Sequence, residues 1–140
     1  MSPSKLHSYL QSALDGVFRQ FPQFSVFANL TITIADTDYI PDVCVYPKLA
    51  INFFEPDEIR MTQLPLMAVE IVSPTQTIQE VLDKFPIYFQ AGIRSCWLVV
   101  PQTKTVAVYT APTDAHVVSM AGDVVDSVLD IRVPLDQIFA

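Results

Sequence analysis

Glu70 stands inside the run Leu66-Met67-Ala68-Val69-Glu70-Ile71-Val72, which otherwise has the composition of a strand buried on both faces and leads into the turn signal Ser73-Pro74. A carboxylate in that setting is costly unless it takes up a proton or finds a cation, a metal or hydrogen-bond donors within reach. Asp42 follows Pro41 at the opening of an earlier apolar segment, and carboxylates on adjacent strands can converge at one point of a sheet. Two hard oxygen donors of this kind suit Mg²⁺ or Mn²⁺, which polarises a phosphodiester and generates a hydroxide-like nucleophile. Lys84 is the third candidate. It borders the stripe of Val81 and Tyr88 on a helix, so its stem can lie along the sheet while its ammonium reaches the Glu70 end, to stabilise phosphoryl charge or orient the attacking water. Plainer readings stay open: Glu70 and Lys84 as a structural ion pair, Asp42 as a strand opener or turn cap, and Lys84 as the i,i+4 partner of Glu80.

These residues need elements to position them. Leu6, Tyr9, Leu10, Ala13, Leu14, Val17 and Phe18 recur at helical spacing, with Ser2 and Pro3 as the start and Pro22 as the stop. Residues 24–34 read as a strand, and Asp36-Thr37-Asp38 turns into a second strand over 42–46, so the two form a hairpin or lie side by side. Residues 47–63 mix Pro, Asn and charges and read as a loop before the Glu70 strand. Thr77 and Glu80 fit a capping box ahead of the stripe Ile78, Val81, Leu82, Phe85, Tyr88 and Phe89; Gly92 closes this helix, and Pro86 kinks it or pushes its start later. Residues 96–100 and 105–109 read as strands joined by Pro101-Gln102-Thr103-Lys104, and 134–139 as a short helical turn. The strand-helix-strand crossover implies a parallel pair, so the class is α/β or α+β, with helices packed on a mixed sheet.

A chain of 140 residues is long enough for one domain with a real core. It is 51% hydrophobic and 16% charged, against about 25% charged in average soluble domains; a homo-oligomer, most simply a dimer, is the expected way to hide the surplus. Met1-Ser2-Pro3-Ser4-Lys5 has neither the basic end nor the apolar stretch of a signal peptide, and no segment is long and apolar enough to span a bilayer, so a cytoplasmic protein with no membrane partner is expected. Cys44 and Cys96 lack CxxC spacing and nearby His ligands and read as small buried hydrophobes. The net charge of -7, with only 8 Lys and Arg, argues against general nucleic-acid binding but leaves room for a local basic groove. His7 falls on the polar flank of the first helix, reads as a surface or half-buried His and is kept as a peripheral candidate; Trp97 and Tyr88 read as core. No His is placed to activate Ser73, so Ser73-Pro74-Thr75 reads as a strand exit and helix entry.

The stretch Val69-Glu70-Ile71-Val72-Ser73-Pro74-Thr75, then Glu80-x-x-x-Lys84-x-x-x-Tyr88-x-x-Ala91-Gly92, then Trp97-Leu98-Val99-Val100-Pro101, resembles the Uma-two family of restriction-endonuclease-like proteins in the PD-(D/E)XK nuclease superfamily. Pro41-Asp42-Val43, Met1-Ser2-Pro3 with His7, and Ile131-x-x-Pro134-Leu135-x-x-Ile138-Phe139 extend the resemblance over nearly the whole chain. It implies one domain over residues 1–140 with a restriction endonuclease-like αβββαβ core. It also implies that Asp42 is the Asp of the PD motif and Glu70 the second acid, together holding Mg²⁺ or Mn²⁺. The lysine usually found two positions after that acid is replaced by Val72, and Lys84 occupies the helix position from which a lysine substitutes in this family. Set against the family pattern, the residues given are expected to be without the N-terminal segment that carries a Glu, and Val100 stands where an acid tends to follow the Trp strand. The implied activity is Mg²⁺-dependent hydrolysis of DNA phosphodiester bonds. The rival reading, favoured by the net charge, the missing acid and the apolar surplus, is a catalytically inactive nuclease-like fold serving as a homo-oligomeric interaction module.

Overall fold

A computed structural model describes residues 4–140, so the helix start expected at Ser2 and Pro3 lies outside the described residues. Helix α1 spans Lys5–Arg19, and Ser4 caps it by accepting the His7 N–H on its hydroxyl at 3.2 Å. The buried face of α1 carries Leu10, Leu14, Val17 and Phe18. Each such fully buried side chain contributes about 1.5–3 kcal/mol of transfer free energy.

The remaining elements are β1 (Phe24–Ala28), β2 (Ile32–Ile34), β3 (Thr37–Tyr39), β4 (Val43–Pro47), β5 (Met67–Ile71), α2 (Ile78–Leu82), α3 (Phe85–Ala91), β6 (Ser95–Val100), β7 (Thr105–Ala111), β8 (Asp114–Ser119), β9 (Asp123–Asp126), β10 (Ile131–Pro134) and α4 (Leu135–Ile138). A six-stranded mixed sheet runs in the order β1-β4-β5-β6-β7-β8, and its one parallel pair is β5 with β6, joined through α2 and α3. The expected αβββαβ order is therefore present as α1, β1, β4, β5, the α2–α3 pair and β6. No described helix is long and apolar enough to cross a membrane.

Two apolar layers cover the sheet. On one face Leu14, Phe18, Leu135 and Ile138 pack with Val69, Ile71, Trp97 and Val99; on the other Val81, Phe85, Tyr88 and Ile93 pack with Ala68, Val72, Cys96 and Leu98. Cys44 and Cys96 are free and buried, and burial pushes the Cys44 thiol up to about 12. Asp126 is fully buried on the first side, where its carboxylate accepts from the Ser95 hydroxyl, from Trp97 Nε1 at 2.9 Å, and from the amides of Val128 at 3.0 Å and Leu129 at 3.1 Å. Those donors replace the water such a charge would otherwise keep, and they tie β9 to β6.

Four details differ from the sequence reading. The strand expected over residues 24–34 is two strands, because Asn29 adopts φ 54 and breaks the run; Ile32 then bridges to Met61 rather than extending the main sheet. The polar residues after it do not run straight into β4 but form a separate β2–β3 hairpin. The interruption expected from Pro86 is sharper than a kink: the helix over 78–92 is broken in two at Lys84, and the second helix, Phe85–Ala91, ends at Gly92 with φ 110. Strands β8, β9 and β10 had no counterpart in the sequence reading.

Candidate active site

The register of β4 against β5 brings the acids together. Val43 pairs with Val69 in the antiparallel ladder, and the next step sets Asp42 beside Glu70 with both side chains on one face. The contact is fixed further by the Ile71 amide, which donates to Asp42 Oδ2 at 2.7 Å. Strand alternation turns Glu70 to the same face as Ala68 and Val72, toward α2 and α3. There Lys84, at the break between those helices, donates from Nζ to Glu70 Oε1 at 2.8 Å. Helix breakage gives Lys84 its reach: it leaves α2 as the residue before α3 and bonds the sheet, not Glu80 one turn earlier.

The electrostatics follow from depth. Glu70 is 4% exposed, and burial pushes its carboxyl up to about 7, with Lys84 pulling it down and the Asp42 charge pushing it up. The Asp42 carboxyl is also raised by burial, against the lowering effects of the Ile71 amide, His7 and Lys84. Glu70 Oε2 is buried and has no hydrogen-bond partner among the described residues. A cleft of about 680 Å³ opens onto these groups, lined by His7, Gln11, Asn29, Ile40, Asp42, Glu70, Ser73, Thr75, Gln76, Glu80 and Lys84.

His7 is placed by the structure where sequence reasoning did not put it. Far from a polar flank, it is buried on α1, and its Nε2–H donates to Asp42 Oδ1 at 2.9 Å. One turn on, Gln11 Nε2 donates to the Asp42 carbonyl at 2.8 Å, so α1 grips Asp42 at side chain and backbone. The available signal was positional: residues 7 and 11 continue the face of Leu14 and Phe18, so a polar pair heads an otherwise apolar stripe.

A family model described as "Putative restriction endonuclease" matches residues 1–132. The chain belongs to this family, Uma2. Uma2 membership agrees with a structural match to the crystal structure of "a putative nuclease belonging to DUF820" from Anabaena variabilis, at TM-score 0.81 and 21% identity, covering 99% of this chain and 83% of that one. At that identity the likeness shows the fold, a large mixed sheet flanked by helices. A comparison of the sequence with the curated proteins finds no match.

Among the described residues no group of three or more His, Cys, Asp or Glu side chains is arranged to hold a metal ion. Mg²⁺ asks for less, because it commonly takes one or two carboxylates and fills its other positions with water and substrate phosphate. Asp42 and the unpartnered Glu70 Oε2 meet that demand in donor type. Arg94 and Lys104 lie on exposed turns away from the cleft lining.

Proposed function

We propose that this Uma2 chain is a divalent-metal-dependent nuclease that hydrolyses DNA phosphodiester bonds in the Asp42–Glu70–Lys84 cleft and works as a homodimer. The observation that carries the reading is a buried carboxylate with one oxygen paired to an ammonium and the other left free, beside a second carboxylate at the end of an open cleft. Asp42 and Glu70 are the residues that would hold Mg²⁺ or Mn²⁺. When bound, such an ion supplies Lewis-acid polarisation of a phosphoryl oxygen and acidifies a coordinated water.

The protein groups have separate tasks. Lys84, held at 2.8 Å from Glu70, keeps a fixed positive charge where negative charge develops on the phosphoryl oxygens, and its remaining N–H groups can orient a water for in-line attack. His7 and Gln11 are positioning residues: they fix the Asp42 rotamer through Oδ1 and its backbone through the carbonyl. Burial of Glu70 puts its proton release close to neutrality, so the carboxylate form needed to hold a cation is gained as pH rises through about 7.

The test is cleavage of supercoiled plasmid and labelled oligonucleotides with Mg²⁺ or Mn²⁺, comparing the wild type with Asp42→Asn, Glu70→Gln and Lys84→Ala. Each substitution is expected to lower the rate by about 100-fold or more, the usual effect of removing one group that stabilises transition-state charge. Equal rates in all four preparations would mean a contaminating nuclease, and a silent wild type across substrates would favour the inactive interaction module.

A further inference from the structure

Phe53 and Phe54 are 91% and 99% exposed, with Ile51 at 55% and Ile59 at 81% close by in the chain. The segment is built to display them. Asn52 accepts the Phe54 amide on its side chain at 3.0 Å and the Glu55 amide on its carbonyl at 3.3 Å, a tight turn that holds both rings out in solvent. Contiguous apolar surface of this kind marks a contact site.

Beside this turn runs β1, an edge strand of the main sheet. Lys48 N–H donates to the Gln23 carbonyl and Asn29 N–H to the Asp42 carbonyl, so odd-numbered residues aim their backbone groups at β4 and Val26 and Ala28 aim theirs outward. An open edge of that sort is a template for a further strand. Two clefts flank it. One, of about 390 Å³ and lined by Phe24, carries Arg19 and Lys48; the other, of about 470 Å³ and lined by Phe27 and Leu30, carries Glu55, Asp57 and Glu58. The basic cleft therefore sits toward the start of β1 and the acidic cleft toward its end. The remaining cation of the segment, Arg60, is held by Asp38 at 2.7 Å.

We infer that the β1 edge and the Phe53–Phe54 turn form a two-fold interface between two copies of this chain. A two-fold axis sets β1 antiparallel to its copy, so the start of each strand meets the end of the other and each basic cleft faces an acidic one, twice per dimer. No such match arises if the same face meets a DNA backbone or an anionic lipid surface, since Glu55, Asp57 and Glu58 repel both. Four buried phenylalanines contribute about 600–1,000 Å², a large part of the roughly 1,200–2,000 Å² of a stable interface. The inference rests on the homodimer part of the proposed function and deepens it, and it is independent of the cleavage part, because none of the residues substituted below lines the Asp42 cleft.

Sedimentation velocity on the intact chain at micromolar concentration tests it. The wild type should sediment as a dimer. Arg19→Glu with Lys48→Glu should sediment as a monomer, and so should Glu55→Lys with Asp57→Lys and Glu58→Lys. Mixing the two charge-reversed proteins should restore a dimer, because each reversed cleft then meets its complement. Phe53→Ser with Phe54→Ser should be monomeric without rescue. All five substituted charges are exposed, and circular dichroism melting checks that each variant is folded. A monomeric wild type, charge variants that dimerise like the wild type, or a mixture that stays monomeric would each overturn the inference.

Discussion

The Glu70 carboxyl, ordinarily near 4.5, is pushed up to about 7 first by burial and then by the Asp42 charge, against the pull of Lys84. Linkage gives this shift a sign. Between those two values the folded chain holds a proton that the unfolded chain has released, so the stability this group contributes is complete below about 4.5 and is lost as pH rises through about 7. Asp42, also raised, acts in the same direction. Urea unfolding between pH 5 and pH 9 should therefore show wild-type stability falling relative to Glu70→Gln by on the order of 3 kcal/mol. Parallel curves for the two proteins would contradict the assignment. At this scale the site was partly legible: a charge inside Met67–Ile71 required a partner, and Lys84 at the edge of an apolar stripe was within reach of it. His7 was not legible as a partner of Asp42, because nothing in the order of residues says that the first turn of α1 ends beside the start of β4.

At the level of elements, the turn between β2 and β3 is unusual in its chemistry. Ala35 and Asp36 take φ 50 and φ 65, the left-handed pair that a two-residue hairpin turn favours and that Asn-Gly adopts most cheaply. An alanine there is strained, and the turn read over residues 36–38 was set one position late and joined to the β4 segment instead of to β3. Ala35→Asn combined with Asp36→Gly should raise stability by about 1 kcal/mol in urea unfolding; a decrease would show that Ala35 or Asp36 makes a contact worth more than the strain. The α2–α3 region was far easier to read, since Thr77 caps, Pro86 interrupts and Gly92 terminates through residue types with fixed conformational preferences. Strand β8 escaped because only Val118 of Asp114–Ser119 is buried, leaving no alternation to detect.

For the whole molecule, charge sets the terms on which DNA could be held. The chain carries a net charge of -7, and among the described residues Lys84, already paired with Glu70, is the one Lys or Arg lining the site cleft. Few phosphates can be neutralised there by side chains. Fluorescence anisotropy of labelled DNA should accordingly give a plot of log affinity against log salt with a slope no steeper than about -2, where proteins making six to ten phosphate contacts show about -5 to -9. A steep slope would require a basic surface elsewhere. The α/β class and the parallel β5–β6 pair were readable from the crossover around Thr77 and Gly92. The β9–β10 hairpin was not, because what anchors it is a buried aspartate held by Ser95 and Trp97 of a distant strand.

The ammonium that meets Glu70 comes from a helix break 14 positions downstream, not from the same strand two positions on. Linear patterns that demand acid, any residue and lysine in fixed succession will pass over chains built this way. A three-dimensional template of two carboxyl carbons and one Nζ, indifferent to which segment donates each atom, would retrieve them.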